Sequence, residues 1–229
     1  MENLIAYAPL LASGALVTIA LAILSLLLAT ILGALGAIGR IGGGRVGGSV
    51  VFVYTTLVRG IPDLVMLLLV YFGGQRLINT SLNAAGFEPV TLSTFWSGVI
   101  AIGFIYGAYL TETFRGAYMT IPRGQIEAAQ ALGLKGFKLH WHVTVPQLVR
   151  FALPGYANVW QVLVKSTAVV SVIGLKDLVG LANDAGKTVR EPFVFFVAVL
   201  LVYLFITWVS TKIFERIEVR SAIGVAHAR

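Results

Sequence analysis

From Asn3 to Gly39 the chain carries no Asp, Glu, Lys or Arg. About 20 apolar residues suffice for a helix to cross the ~30 Å hydrocarbon core of a bilayer. Few other environments accept so long an uncharged run. A membrane β-barrel would instead show segments of roughly 10 residues alternating apolar and polar. The run here is continuous and rich in Leu and Ala, which are helix formers. Similar runs recur, and the chain as a whole is 58% hydrophobic and only 12% charged. The expected class is therefore an all-α integral membrane protein.

Five spans are expected, at about 10–38, 60–78, 95–118, 152–175 and 193–211. The second is the least regular. RGIPD at 59–63 interrupts it, because Pro62 lacks an N–H and disfavours a helical Ile61. An interfacial piece before the break, followed by the span, is one placement; a single kinked helix over 50–73 is the other. No basic residue precedes Arg40, so the first run is expected to be retained as a helix and not cleaved as a signal peptide.

The basic residues orient this arrangement. Arg40, Arg45, Arg123, Lys135, Lys138, Arg150, Lys212, Arg216, Arg220 and Arg229 fall on one side; Arg76, Lys176, Lys187 and Arg190 fall on the other. The positive-inside rule then places the N-terminus outside, and the 120–150 loop and the 213–229 tail in the cytoplasm. The net charge of +7 is explained by this asymmetry, and no nucleic-acid partner is expected.

Within the loop, TIPRGQIEAAQALGLKGFKLHWHVTVPQLVR, residues Gln125–Leu132 are predicted to form a short helix, with Glu127 near its positive end and Gly133 as its stop. A second piece, Phe137–Val145, is expected to end at Pro146, and Pro154 to open the fourth span. An isolated helix this short is marginal in water, so it should dock on something. Ala128 and Ala129 would let a partner approach closely. A repacked surface loop is the plainer alternative.

EAA at 127–129, Gly133, and the downstream Leu153–Pro154 resemble the EAA loop of ABC-transporter permeases. YTTLVRGIPDLV (54–65), YGAYLTETFRGAYMTIPRGQIEAAQALG (106–133) and WQVLVKSTAVVSVIGLKDL (160–178) are similar to the polar amino acid permeases of type I importers, of the histidine/lysine/arginine/ornithine group and its Q-type subunit. The resemblance covers about 12–212. It implies the type I permease fold in a bacterial inner membrane. It also implies a coupling helix, with Glu127, Ala128, Ala129 and Gly133 at the contact with a partner ATPase. The implied partners are a second, similar permease chain or a second copy, two ATPase subunits and a periplasmic binding protein. ATP and magnesium would be used by the ATPase, and this chain would bind no cofactor itself.

Charges inside a membrane are costly and are functional candidates. Asn158, Gln161 and Lys165 share one helical face by their spacing. They would meet a translocation path or a partner's hydrogen-bond network. Glu112, with Tyr106 and Tyr109 on the helix above it, would line the path, or Glu112 would pair with Arg115. Arg59 and Asp63, flanking Pro62, would form a local ion pair or a gate.

Other signals are rejected. GGGRVGGS at 42–49 has Gly48 where a phosphate loop needs Lys, and GKT at 186–188 has Leu181 where the first Gly belongs. His140 and His142 point to different sides of a helix and lack a third ligand, so no metal site is expected. The function class that competes with an ATP-driven importer is a stand-alone secondary transporter or channel.

Overall fold

The computed structural model describes residues 2–221, and among them there is no strand. Helix α1 (Glu2–Gly42) is the long uncharged run. Gly44 adopts φ +62, a left-handed turn that glycine accepts freely, and α2 (Gly44–Gly60) departs in a new direction. Ile61 is extended (φ −104, ψ 137), as a residue before proline prefers, and α3 (Asp63–Ala84) follows at a bend of 113°. One turn of α3, Leu69–Gly73, is a π-turn. Then come α4 (Thr94–Thr120), α5 (Arg123–Ala131) and α6 (Gly136–Ile173). Helix α7 (Leu178–Val189) and α8 (Pro192–Ser221) complete the described chain.

Four helices, α1, α4, α6 and α8, are long and apolar enough to cross a membrane, and the bent pair α2–α3 supplies a fifth crossing if it counts as one span. The break at Ile61–Pro62 excludes the single kinked helix over 50–73. The helix expected at 60–78 begins at Asp63 and runs on to Ala84, while α2 starts well before 50. The fourth span differs more. Phe137–Val145 does not end at Pro146, and Pro154 does not open a helix. Both prolines lie within the continuous run Gly136–Ile173. The π-turn His140–Thr144 ends two residues before Pro146 and loosens the ladder that the proline ring would otherwise obstruct. The last helix extends beyond 211 to Ser221, with Lys212 and Glu215 paired one turn apart at 2.8 Å. The remainder of the expected 213–229 tail, including Arg229, lies outside the described residues.

Close approaches fix the directions of the helices. Cβ atoms added at Gly98, Gly103 and Gly107 on α4 would lie 3.2, 2.6 and 2.9 Å from Leu21, Leu28 and Leu32 of α1. Residue numbers rise together, so α1 and α4 run parallel, and the 44–84 segment returns between them. A Cβ at Gly155 would meet Thr113, and one at Gly98 would meet Val170, so α6 is antiparallel to α4. Tyr203 meets Thr167 and Thr211 meets Gln161, so α8 runs antiparallel to α6. Between lipid-facing helices no hydrophobic force drives association, and small residues that admit close packing carry it. The buried seam of Leu21, Ala29, Ala101, Ala108, Leu110 and Leu163 is the result.

One end of the bundle therefore gathers the C-terminal ends of α1, α4 and α8, the whole of α5, and the start of α6. The opposite end holds the 85–93 connection and α7. Helix α7 was not among the expected elements. Asp177 caps it by accepting from the Gly180 N–H at 2.9 Å, and Arg190, at φ 59, closes it.

Candidate functional site

Two constellations stand out: a surface at the α5 end, and a polar knot inside the bundle.

Helix α5 starts at Arg123, two residues earlier than predicted, and Glu127 lies in its second turn. The expected interaction of Glu127 with the helix dipole is therefore absent, since that effect is confined to the first turn. Its C-terminus is a Schellman closure. The Gly133 N–H donates to the Gln130 carbonyl at 2.9 Å and the Leu134 N–H to the Ala129 carbonyl at 3.0 Å, with Gly133 at φ +86. Ala129 is buried within the chain; Ala128 and Glu127 are exposed. Two alanines adjacent in sequence, about 100° apart around the helix, thus differ in burial, and Ala128 is the one open to a partner. Beside it Leu132 is 85% exposed, and Phe137 stacks on Trp141 at 5.9 Å with both rings largely open. Large apolar side chains so exposed in a polar segment mark an interaction surface.

The knot centres on Asp63, the first residue after the Pro62 break. Its Oδ2 accepts from the Tyr106 hydroxyl at 2.9 Å and from the Ser166 hydroxyl at 2.9 Å, and those two hydroxyls lie 2.5 Å apart. One carboxylate oxygen so joins α3, α4 and α6. Tyr106 is 2% exposed and stacks on Tyr109, and the Arg59 guanidinium lies 5.2 Å from the Tyr109 ring centroid. Arg59 and Asp63 thus have different partners and form no ion pair. The 113° bend carries their side chains apart. Ser166 lies 103 residues from Asp63, and no spacing rule could have joined them.

Glu112 is engaged by side chains of its own bundle. Arg115 binds it at 2.9 Å, Thr55 donates to it at 3.3 Å, and Arg40 approaches to 3.9 Å. It ties α1, α2 and α4 together at the α5 end. The Asn158, Gln161 and Lys165 face divides. Gln161 donates to Thr211 on α8 at 3.1 Å, whereas Asn158 and Lys165 stand exposed on α6, aligned with the equally exposed Val162. Polar side chains on a membrane-crossing face need a partner or a water-filled path.

Apolar helices long enough to cross a membrane, packed parallel and antiparallel, with a short exposed helix between two of them and a polar knot inside, define a multi-span membrane protein. Residues 29–218 match the family of binding-protein-dependent transport system inner membrane components, and the chain belongs to that family. Among its relatives is the histidine/lysine/arginine/ornithine transport system permease protein HisQ of Escherichia coli (strain K12), 46% identical over 94% of each chain. The octopine transport system permease protein OccQ of Rhizobium radiobacter is 42% identical over 75% of this chain and 73% of its own. Of solved structures, an amino acid ABC transporter with histidines shares 28% identity at a TM-score of 0.79, covering 96% of this chain and 97% of its own. The inward-facing MetNI methionine ABC transporter, at 18% identity and TM-score 0.74 over 93% and 96%, shares the fold.

Proposed function

We propose that this chain is the permease subunit of an ATP-driven importer that moves basic amino acids of the histidine, lysine, arginine and ornithine class across the bacterial inner membrane. The observation that carries this reading is the α5 surface: a capped helix between two spans, flanked by exposed Leu132, Phe137 and Trp141. The substrate class is supported by the relatives' names and by their coverage of nearly the whole chain.

In this reading the α5 end faces the cytoplasm, in accord with its excess of Lys and Arg, and the α7 end faces the periplasm. Two ATPase subunits, one against each permease, close on ATP and push on α5. The Schellman turn at Gly133 fixes the angle between α5 and the long α6, so the push reaches the bundle. The Asp63–Tyr106–Ser166 knot is the hinge point where α3, α4 and α6 change their mutual arrangement in alternating access. Lys165 and Asn158 face the second permease chain across the translocation path. A periplasmic binding protein delivers the amino acid to the α7 end. ATP and magnesium act in the partner, and this chain binds no cofactor.

The test is purification of the tagged chain from its native membrane in mild detergent, with identification of its companions. An ATPase and a second permease chain are expected; an ATPase with no second permease would indicate a homodimeric pore. Ala128→Trp should lose the ATPase while the spans remain folded. A chain that purifies alone and transports without ATP would reinstate the secondary transporter.

A further inference from the structure

A cavity of about 580 Å³ opens beside α1 at the α5 end of the bundle, within the size range of small-molecule sites. Its walls come from α1, α4 and α6. The α1 wall runs from Thr30 to Gly42, about 18 Å at the helical rise per residue. Half of a bilayer's hydrocarbon thickness is about 15 Å. The cavity is thus about as deep as one leaflet and runs along α1. Ile38, Ile41 and Val149, all exposed, form its open side, which faces away from the bundle.

Its polar groups are ordered by depth on α6. His140 stands at the rim. Thr144 lies four residues further in, about 6 Å deeper. Thr144 is 4% exposed, and its hydroxyl has no partner among the described residues. A threonine in a regular helix normally returns its hydroxyl to the carbonyl four residues back, but the π-turn His140–Thr144 disturbs that geometry. A buried donor in an apolar wall is costly until an acceptor reaches it. Below Thr144 the α6 wall is hydrocarbon, with Leu148 and Ala152, and Ala34 and Phe114 line the same cavity. No acidic side chain among the described residues lines the cavity, and Lys138, two residues before His140, is exposed at the rim end of α6.

We propose that this cavity seats one acyl chain of an anionic phospholipid from the leaflet at the α5 end. The phosphate sits at His140 and at Lys138, which stands exposed half a turn before it at the rim. An ester carbonyl accepts from Thr144, and the chain runs down between α1 and α6. The lipid so placed underpins the π-turn that links the α5 segment to the membrane-crossing part of α6. The occupant is elongated and amphiphilic because the polar groups of α6 end one turn below the rim, the apolar wall continues for about a leaflet's depth, and the Thr30 hydroxyl at the deep end is already taken by the Leu26 carbonyl and the Tyr156 hydroxyl. The site does not depend on which amino acid is carried.

The test uses the complete transporter reconstituted in liposomes containing phosphatidylglycerol or phosphatidylethanolamine with a photoreactive diazirine in one acyl chain. After irradiation, labelled peptides are mapped by mass spectrometry. Phosphatidylglycerol should label the peptides carrying 30–42 and 144–152 more strongly than the other lipid-exposed faces. Ala34→Phe, which fills the cavity, should reduce that labelling about tenfold, the loss expected when about two methylene groups lose their seat. Ile38→Trp, at the open side, should do the same without touching the interior, and Leu35→Phe, exposed but outside the cavity, should leave labelling unchanged. Even labelling of all exposed faces, labelling insensitive to both filling variants, equal labelling by phosphatidylethanolamine, or protection of the cavity by the second permease chain would each overturn the proposal. Labelling is read whether or not the preparation transports, so failure of the importer reading is scored separately.

Discussion

Gly133 offers the sharpest test of how α5 is held. Its φ of +86 lies in the left-handed region, and a Cβ added there would meet nothing within 4 Å. Substitution therefore introduces backbone strain with no steric clash. For an L-residue that strain is roughly 1–2 kcal/mol, which lowers the population of the closed turn about five- to thirtyfold relative to its open forms. The nine residues of α5 are too few to stay helical without this closure and their docking surface. The account predicts a graded series: Asn, which visits the left-handed region, close to wild type; Ala lower; Val, with its branched Cβ, lowest. The assay is the initial rate of ATP-dependent uptake by proteoliposomes, alongside retention of the ATPase during purification. Spans α1, α4 and α8 do not touch the turn, so melting of the bundle should be unchanged across the series. A Val variant with the uptake of the Asn variant would refute the reasoning, since steric freedom without conformational selectivity would then suffice.

Other expectations concern the bundle. A Cβ at Gly36 would collide with the buried Thr111 hydroxyl, so Gly36→Ala should destabilise by about 1–3 kcal/mol, and Thr111→Ala should restore much of it, as read by thermal unfolding in detergent. Tyr106→Phe removes one donor from Asp63 and leaves Ser166; a loss of about 1–3 kcal/mol in stability is expected, with a larger fall in uptake if the knot is the hinge. Asp177, outside the spans, has its carboxyl pushed up from 3.8 to about 6 by burial, so the folded state holds its proton more tightly than the unfolded chain. Its contribution is complete below about pH 4 and is lost as pH rises through about 6. Asp177→Asn, which still caps α7 but carries no charge, should flatten this part of the melting-temperature profile and melt higher at pH 7. An unchanged profile would contradict that assignment.

Much of this architecture is legible in the residues, but unevenly. The uncharged stretch from Asn3 to Gly39 marks α1, Pro62 marks the break before α3, and Gly133 marks the end of α5, because each rests on local chemistry. What depends on neighbours is not legible. Nothing local to Asp63 names Tyr106 and Ser166 as its partners, and nothing local to Ala128 and Ala129 says which one turns inward. Pro146 and Pro154 read as breaks, yet helix α6 continues through both, aided by the π-turn before the first. Small residues at Gly103 and Gly107 spell the spacing of close membrane-helix contact and are the signal for the α1–α4 pairing. Asp177, three residues before Gly180, is likewise the cap signal for α7, a helix too short and too polar to register as a span.

The central claim is that force from ATP enters through α5 and moves a basic amino acid through the bundle. It is tested most directly by reconstituting the co-purified complex and measuring uptake of radiolabelled arginine with and without internal ATP, for the wild type and for Ala128→Trp. The account predicts uptake that requires both ATP and the binding protein and that collapses in the Ala128→Trp complex. Arginine uptake that proceeds equally without ATP, or that is indifferent to the α5 substitution, would contradict it.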